Sequence, residues 1–190
     1  MGNSYLTNPA AFLIQTLFGL YILAVLLRFL LQLVRADFYN PITQFLVKIT
    51  APPLKPLRRF IPGIGGVDIA SLLLAWGLKY IELLLIVLIS GSTVNAFAPL
   101  LWAIPELLEL LLNIFLFAVL IQVILSWINP GAYNPASALL NSLTEPLMRP
   151  ARKILPPMSG IDLSPMLVMI GLILLKMLLL PPLRMLTGSL

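Results

Sequence analysis

The sequence predicts an all-α membrane protein: four transmembrane helices in two parallel helix–loop–helix repeats, each with a short amphipathic interfacial helix in its cytoplasmic loop. Three observations lead there. Of 190 residues, 60% are hydrophobic and only 10% charged, with a mean hydropathy of +1.03, more apolar surface than a soluble domain of this size can hide. Four apolar stretches, 10–34, 69–90, 104–128 and 163–180, are each long enough to cross a hydrocarbon core of about 30 Å, which takes around 20 helical residues. Finally, a thirty-residue loop recurs 94 positions later in the chain.

The first stretch is a span and not a cleavable signal, because no Lys or Arg precedes it and it is too long for a signal core. The loop after it, 35–68, opens with Tyr39-Asn40-Pro41. Asn40 suits a helix N-cap and Pro41 the first helical position. Ile42, Phe45, Leu46 and Ile49 follow at helical spacing, with Thr43, Gln44 and Lys48 on the other face. This predicts a ten-residue amphipathic helix about 15 Å long, too short to span. Pro52, Pro53 and Pro56 are then expected to turn the chain, leaving Arg58-Arg59 at headgroup level.

The second span, 69–90, starts after Asp68, and the third covers 104–128. The second loop, 129–162, repeats the first without a gap: residues 39–68 and 133–162 agree at eleven of thirty positions, from Tyr133, Asn134 and Pro135 through Thr144 and Arg152 to Asp162. Matches among Pro, Gly, Asn and Asp are informative where matches among Leu are not. The fourth span, 163–180, should end at Pro181-Pro182. The chain therefore divides into repeats 1–95 and 96–190, each with two spans and a loop. An even number of spans per copy inserts both copies in the same orientation. Lys and Arg gather in the two loops and are absent from the first eight residues and from the 90–103 connection. The positive-inside rule then places both loops in the cytoplasm and both termini outside.

The composition also excludes chemistry. With no Cys and no His, disulfides, thiolate catalysis, His-ligated haem and the commonest general base are all absent. No cofactor and no metal site is expected. The net charge of +5 fits topology and anionic lipid better than nucleic acid, since no dense basic run occurs.

Three groups of candidate site residues remain. Lys55, Arg58, Arg59, Arg149, Arg152 and Lys153 could anchor topology on anionic headgroups or dock a cytoplasmic protein. Asp68 and Asp162 form a symmetric pair, but their position directly before a span marks caps and not a protease dyad. Arg28, Lys79, Glu82, Glu109 and Lys176 lie within spans, where ionisable residues are costly. Arg28 is close enough to the loop end to snorkel. The 94-residue shift lays Glu82 on Lys176 and Arg28 on Gln122, and Glu82 is expected to pair with Lys176 or with Lys79.

Tyr-Asn-Pro, then Thr-x-Pro-x-x-x-Pro-x-Arg-[Arg/Lys], then Pro…Gly-x-Asp before the next span resembles the YggT (YlmG-like) family, over the whole chain as two tandem copies. The second copy carries Ser164-Pro165 after its Asp, as the family does, whereas the first has Ala70-Ser71. The resemblance implies a bacterial inner-membrane protein with chloroplast relatives. It also implies roles in osmotic tolerance linked to potassium uptake, in cell division or nucleoid organisation, or in assembly of a plastid b-type cytochrome. Two functions are therefore expected in competition. One is a non-enzymatic membrane organiser or assembly factor. The other is a potassium or proton transport component or accessory using the intramembrane charges, for which four spans would need a homo-oligomer to form a pore. Closed internal charge pairs would favour the first, and charges lining a wet cavity the second.

Overall fold

The computed structural model describes residues 3–91, 94–128, 134–156 and 162–188. Among the described residues are six helices and no strand: α1 Asn3–Leu33, α2 Pro41–Phe60, α3 Ile69–Ser90, α4 Ala98–Ile128, α5 Pro135–Ile154 and α6 Ser164–Thr187. Four of them, α1, α3, α4 and α6, are long and apolar enough to cross a membrane, so the chain is a multi-pass membrane protein. Tyr133 and Gly160 of the repeated loop lie outside the described residues.

Each repeat is held by its own pair of long helices, α1 on α3 and α4 on α6, while α3 on α4 joins the two. The main core cluster lies along this seam, with Ile22, Val25, Leu26, Phe29 and Leu30 of α1 packed against Ala75 of α3 and Ile114 and Ala118 of α4. A second cluster joins Leu112 and Val119 of α4 to Met148 of α5 and Val168 and Leu172 of α6. The outward faces of α4 and α6, including Phe117, Ile121, Leu174 and Leu178, are exposed apolar side chains, as lipid-facing surfaces are.

The structure corrects the expected helix lengths. Both loop helices run for 20 residues, about 30 Å, twice the expected length, and continue through the prolines expected to turn them. In α2 the physical reason is visible: Pro53 cannot donate to the Ile49 carbonyl, and the Tyr21 hydroxyl of α1 donates to that oxygen instead at 3.1 Å. The fourth span likewise passes through Pro181 and Pro182 to Thr187. The third starts at Ala98, six residues before the expected position, with Asn95 Oδ1 accepting from Phe97 N at 3.0 Å ahead of it.

Between α2 and α3 the chain reverses in a four-residue turn. Ile64 and Val67 exchange backbone hydrogen bonds of 3.1 and 3.0 Å around Gly65 and Gly66, whose φ angles are 61° and 85°. Two successive positive φ angles define a turn that favours glycine at both positions. This turn delivers Asp68 back toward the end of α2.

Candidate functional site

The loop side of the protein is built twice from the same contacts. In the first repeat the Arg58 guanidinium pairs with Asp68. In the second, Arg152 Nε pairs with Asp162 at 3.1 Å. Each pair spans ten residues and ties the end of a loop helix to the start of the next span. Eight residues before Arg58 on α2, Thr50 Oγ1 accepts from Arg28 Nη1 at 2.8 Å, and nearby the Val47 carbonyl accepts from the same nitrogen at 3.3 Å. The equivalent positions of the second repeat meet with different chemistry: Thr144 donates to Gln122 Oε1, and Gln122 Nε2 donates to Asn141 Oδ1 at 2.7 Å.

Arg28 is buried, and its guanidinium fixes α1 to α2. One expectation is corrected here. Neither aspartate is simply a helix cap. Asp68 occupies the N-cap position of α3 without a capping side-chain bond to the backbone, and the N-cap of α6 is Leu163. Asp162 does accept from Ser164 N at 2.9 Å. Both carboxylates serve first as ion partners of the repeated arginine. Burial pushes the Asp68 carboxyl up, but the bonds from Arg58 and Ser71 outweigh it and hold the group below the usual aspartate range. At Asp162 burial also pushes up, and Ser164 and Arg152 bring the carboxyl down.

The six expected headgroup cations divide. Lys55, Arg59 and Lys153 are exposed. Arg58 and Arg152 are engaged by the aspartates, and Arg149 and Arg152 both bond Glu145, at 2.9 and 3.2 Å. Arg149 and then Arg152 hold the Glu145 carboxyl below its ordinary range against the upward push of burial.

A second constellation begins at the middle of α3 and α6 and runs toward the other end of the spans. Lys79 bonds Glu82 at 2.9 Å and approaches Glu106 at 3.7 Å. Arg184 reaches Glu106 at 3.9 Å and also pairs with Glu109. Lys176 bonds Glu109 at 2.8 Å and Asn113 at 2.9 Å. Three cations and three carboxylates from α3, α4 and α6 thus form one chain of ion pairs with no net charge. Glu82 pairs with Lys79; Lys176 instead belongs to Glu109. Arg184 was missed because the fourth span was expected to stop before it. Thr50 and Thr144 were legible among the eleven repeated identities, whereas Gln122 and Asn141 carry no repeated letter.

The repeated Asn has a structural role in each copy. Asn40 Oδ1 caps α2 by accepting from Ile42 N at 2.9 Å, and its Nδ2 donates to the Pro135 carbonyl of the other repeat at 2.8 Å. Asn134 makes a capping box with Ser137 within its own repeat. A cap and a net hydrogen bond each contribute about 1 kcal/mol. Asn40→Ala is therefore expected to cost about 2 kcal/mol and Asn134→Ala about 1 kcal/mol, measured as shifts in unfolding midpoint in detergent.

Two segments, residues 7–89 and 101–183, each match the family described as CCB3/YggT. An uncharacterized protein of Pseudomonas aeruginosa is 49% identical over 185 residues, covering 96% of this chain and 94% of that one. The uncharacterized protein YggT of Escherichia coli K12 is 41% identical over 173 residues, covering 90% and 88%. The uncharacterized protein ycf19 of Guillardia theta is 41% identical over 66 residues, covering 34% of this chain and 69% of its own. No solved structure matches the chain.

Proposed function

Because this chain belongs to the CCB3/YggT family, we propose that it is a non-enzymatic organiser or assembly factor of the bacterial inner membrane. The observation that carries this reading is the closed ion-pair chain of Lys79, Glu82, Glu106, Arg184, Glu109 and Lys176. Charges compensated inside one chain fix how helices assemble; they do not offer a line of unmatched sites for an ion to follow. The arrangement suits a rigid four-span bundle whose two repeats are related by an axis along the membrane normal. Its loop helices lie in the interface with Phe45, Phe60 and Ile154 toward lipid and Lys55, Arg59 and Lys153 toward headgroups or a protein partner. The loops face the cytoplasm and the termini lie outside, by their Lys and Arg content. The resemblance to YggT points this organising role toward osmotic stress tolerance or envelope and division processes.

One observation favours the transport alternative: Glu82 Oε2 is buried with no hydrogen-bond partner among the described residues, as a proton-accepting group would be. The two readings separate in proteoliposomes. The purified protein is expected to raise potassium and proton flux no higher than protein-free vesicles.

A further inference from the structure

A cleft of about 330 Å³ opens between the end of α1 and the first half of α2. Its lining combines three cationic residues, Arg28, Arg35 and Arg58, with apolar ones that include Leu31, Phe38 and Val47. Two buried polar atoms of residues lining it have no hydrogen-bond partner among the described residues: Nε of Arg28 and Oγ1 of Thr43, in side chains of residues only 8% and 7% exposed. Leaving such groups unmatched is costly, so their place beside the cleft points to a ligand that accepts hydrogen bonds. Charge points the same way. Asp68 is bonded to Arg58 and Asp37 accepts from Tyr39 N at 2.9 Å; among the described residues neither Arg28 nor Arg35 is ion-paired with a carboxylate, and the three arginines outnumber these two aspartates. Arg35 also closes α1 in the left-handed region, at φ 53°, where glycine is the cheaper residue.

We propose that this cleft binds the phosphate of an anionic phospholipid. Arg28, Arg35 and Thr43 supply donors to the phosphate oxygens, and Leu31, Phe38 and Val47 take the glycerol and first acyl carbons. The second repeat has a different cleft, about 740 Å³, that shares three positions with the first: Gln122 stands for Arg28, Asn141 for Val47 and Arg152 for Arg58, and Glu145 bonds both Arg149 and Arg152. Glu145 corresponds to Ala51 in the first repeat. The repeats have thus diverged into one cleft with spare cationic charge and one that neutralises itself. The assignment narrows the headgroup contact proposed above to one cleft, and it holds whether the protein organises the membrane or transports across it.

The test is native mass spectrometry of the full chain in detergent with phosphatidylglycerol, phosphatidylcholine or inorganic phosphate. Phosphatidylglycerol should be retained about tenfold better than phosphatidylcholine. Arg35→Gln, an exposed change, and Ala51→Glu, which imports the second repeat's carboxylate, should each reduce retention about fivefold, the factor for one cation near an anionic headgroup. Equal retention of the two lipids, or no response to either variant, would overturn the site. Inorganic phosphate that binds alone and displaces the lipid at equal concentration would overturn the lipid as its occupant. Arg28→Gln, the residue of the second repeat at this position, should match the loss in Arg35→Gln where circular dichroism is unchanged.

Discussion

Replacing Lys79 by Met is expected to destabilise the folded protein by about 3–5 kcal/mol, the cost of stranding a buried charge. The Glu82 side chain is 3% exposed and Lys79 is its bonded cation. Without that cation Glu82 keeps only the nearby Glu106 carboxylate, which repels it. Adding Glu82→Leu to Lys79→Met should recover most of the loss, because a buried ion pair replaced by apolar residues of similar volume is often neutral. Denaturant unfolding in micelles reads both variants. A single mutant within about 0.5 kcal/mol of wild type, the range of ordinary surface changes, would mean that the deep charges hold nothing together.

The second large effect concerns the repeated Arg–Asp pair, which the two copies use at different depths. Asp68 is 4% exposed and Arg58 36%, so Arg58→Ala leaves a buried carboxylate with only Ser71 as a donor. The expected cost is about 2–3 kcal/mol, below a fully buried pair because water screens the exposed arginine. Asp162 is 33% exposed and Arg152 36%, so Arg152→Ala should cost less than about 1 kcal/mol. Acid supplies an independent check. The folded Asp68 carboxyl is held below its ordinary value of 3.8, so its stabilisation is present above that pH and is lost as pH falls through the depressed value. Wild type and Arg58→Ala should therefore converge in stability only as pH falls below 3.8 and through that depressed value, while Arg152 variants stay close to wild type throughout.

The parts of this architecture that were legible in the sequence are those with a repeated or periodic signal. Four runs of apolar residues announced four long helices, and the duplicated Asn-Pro marked where two more begin. Helix ends were less legible because proline was given more weight than its neighbours allowed. Tyr21 satisfies the carbonyl that Pro53 leaves free, a contact between residues 28 positions apart that no local rule anticipates. The same over-reading of Pro181-Pro182 removed Arg184 from view, and with it one of the three cations in the deep network. The Arg–Asp pairs had a visible signal, since both residues recur at a spacing of ten in each copy. The sequence alone points the arginine to headgroups and the aspartate to a cap, because it does not show that the Gly65-Gly66 turn folds one back on the other. The exchange of Arg28 and Val47 for Gln122 and Asn141 is a compensated change, visible only once the four positions are seen to meet as two pairs.

An organiser of this kind requires its intramembrane charges to be structural and closed. Potassium and proton flux through proteoliposomes of the purified chain, with Glu82→Gln in parallel, tests this most directly. Wild type and variant both at the level of protein-free vesicles is the predicted result. Flux in the wild type that disappears in Glu82→Gln, with both proteins folded, would contradict it and make Lys79, Glu82, Glu106, Arg184, Glu109 and Lys176 a conduction path.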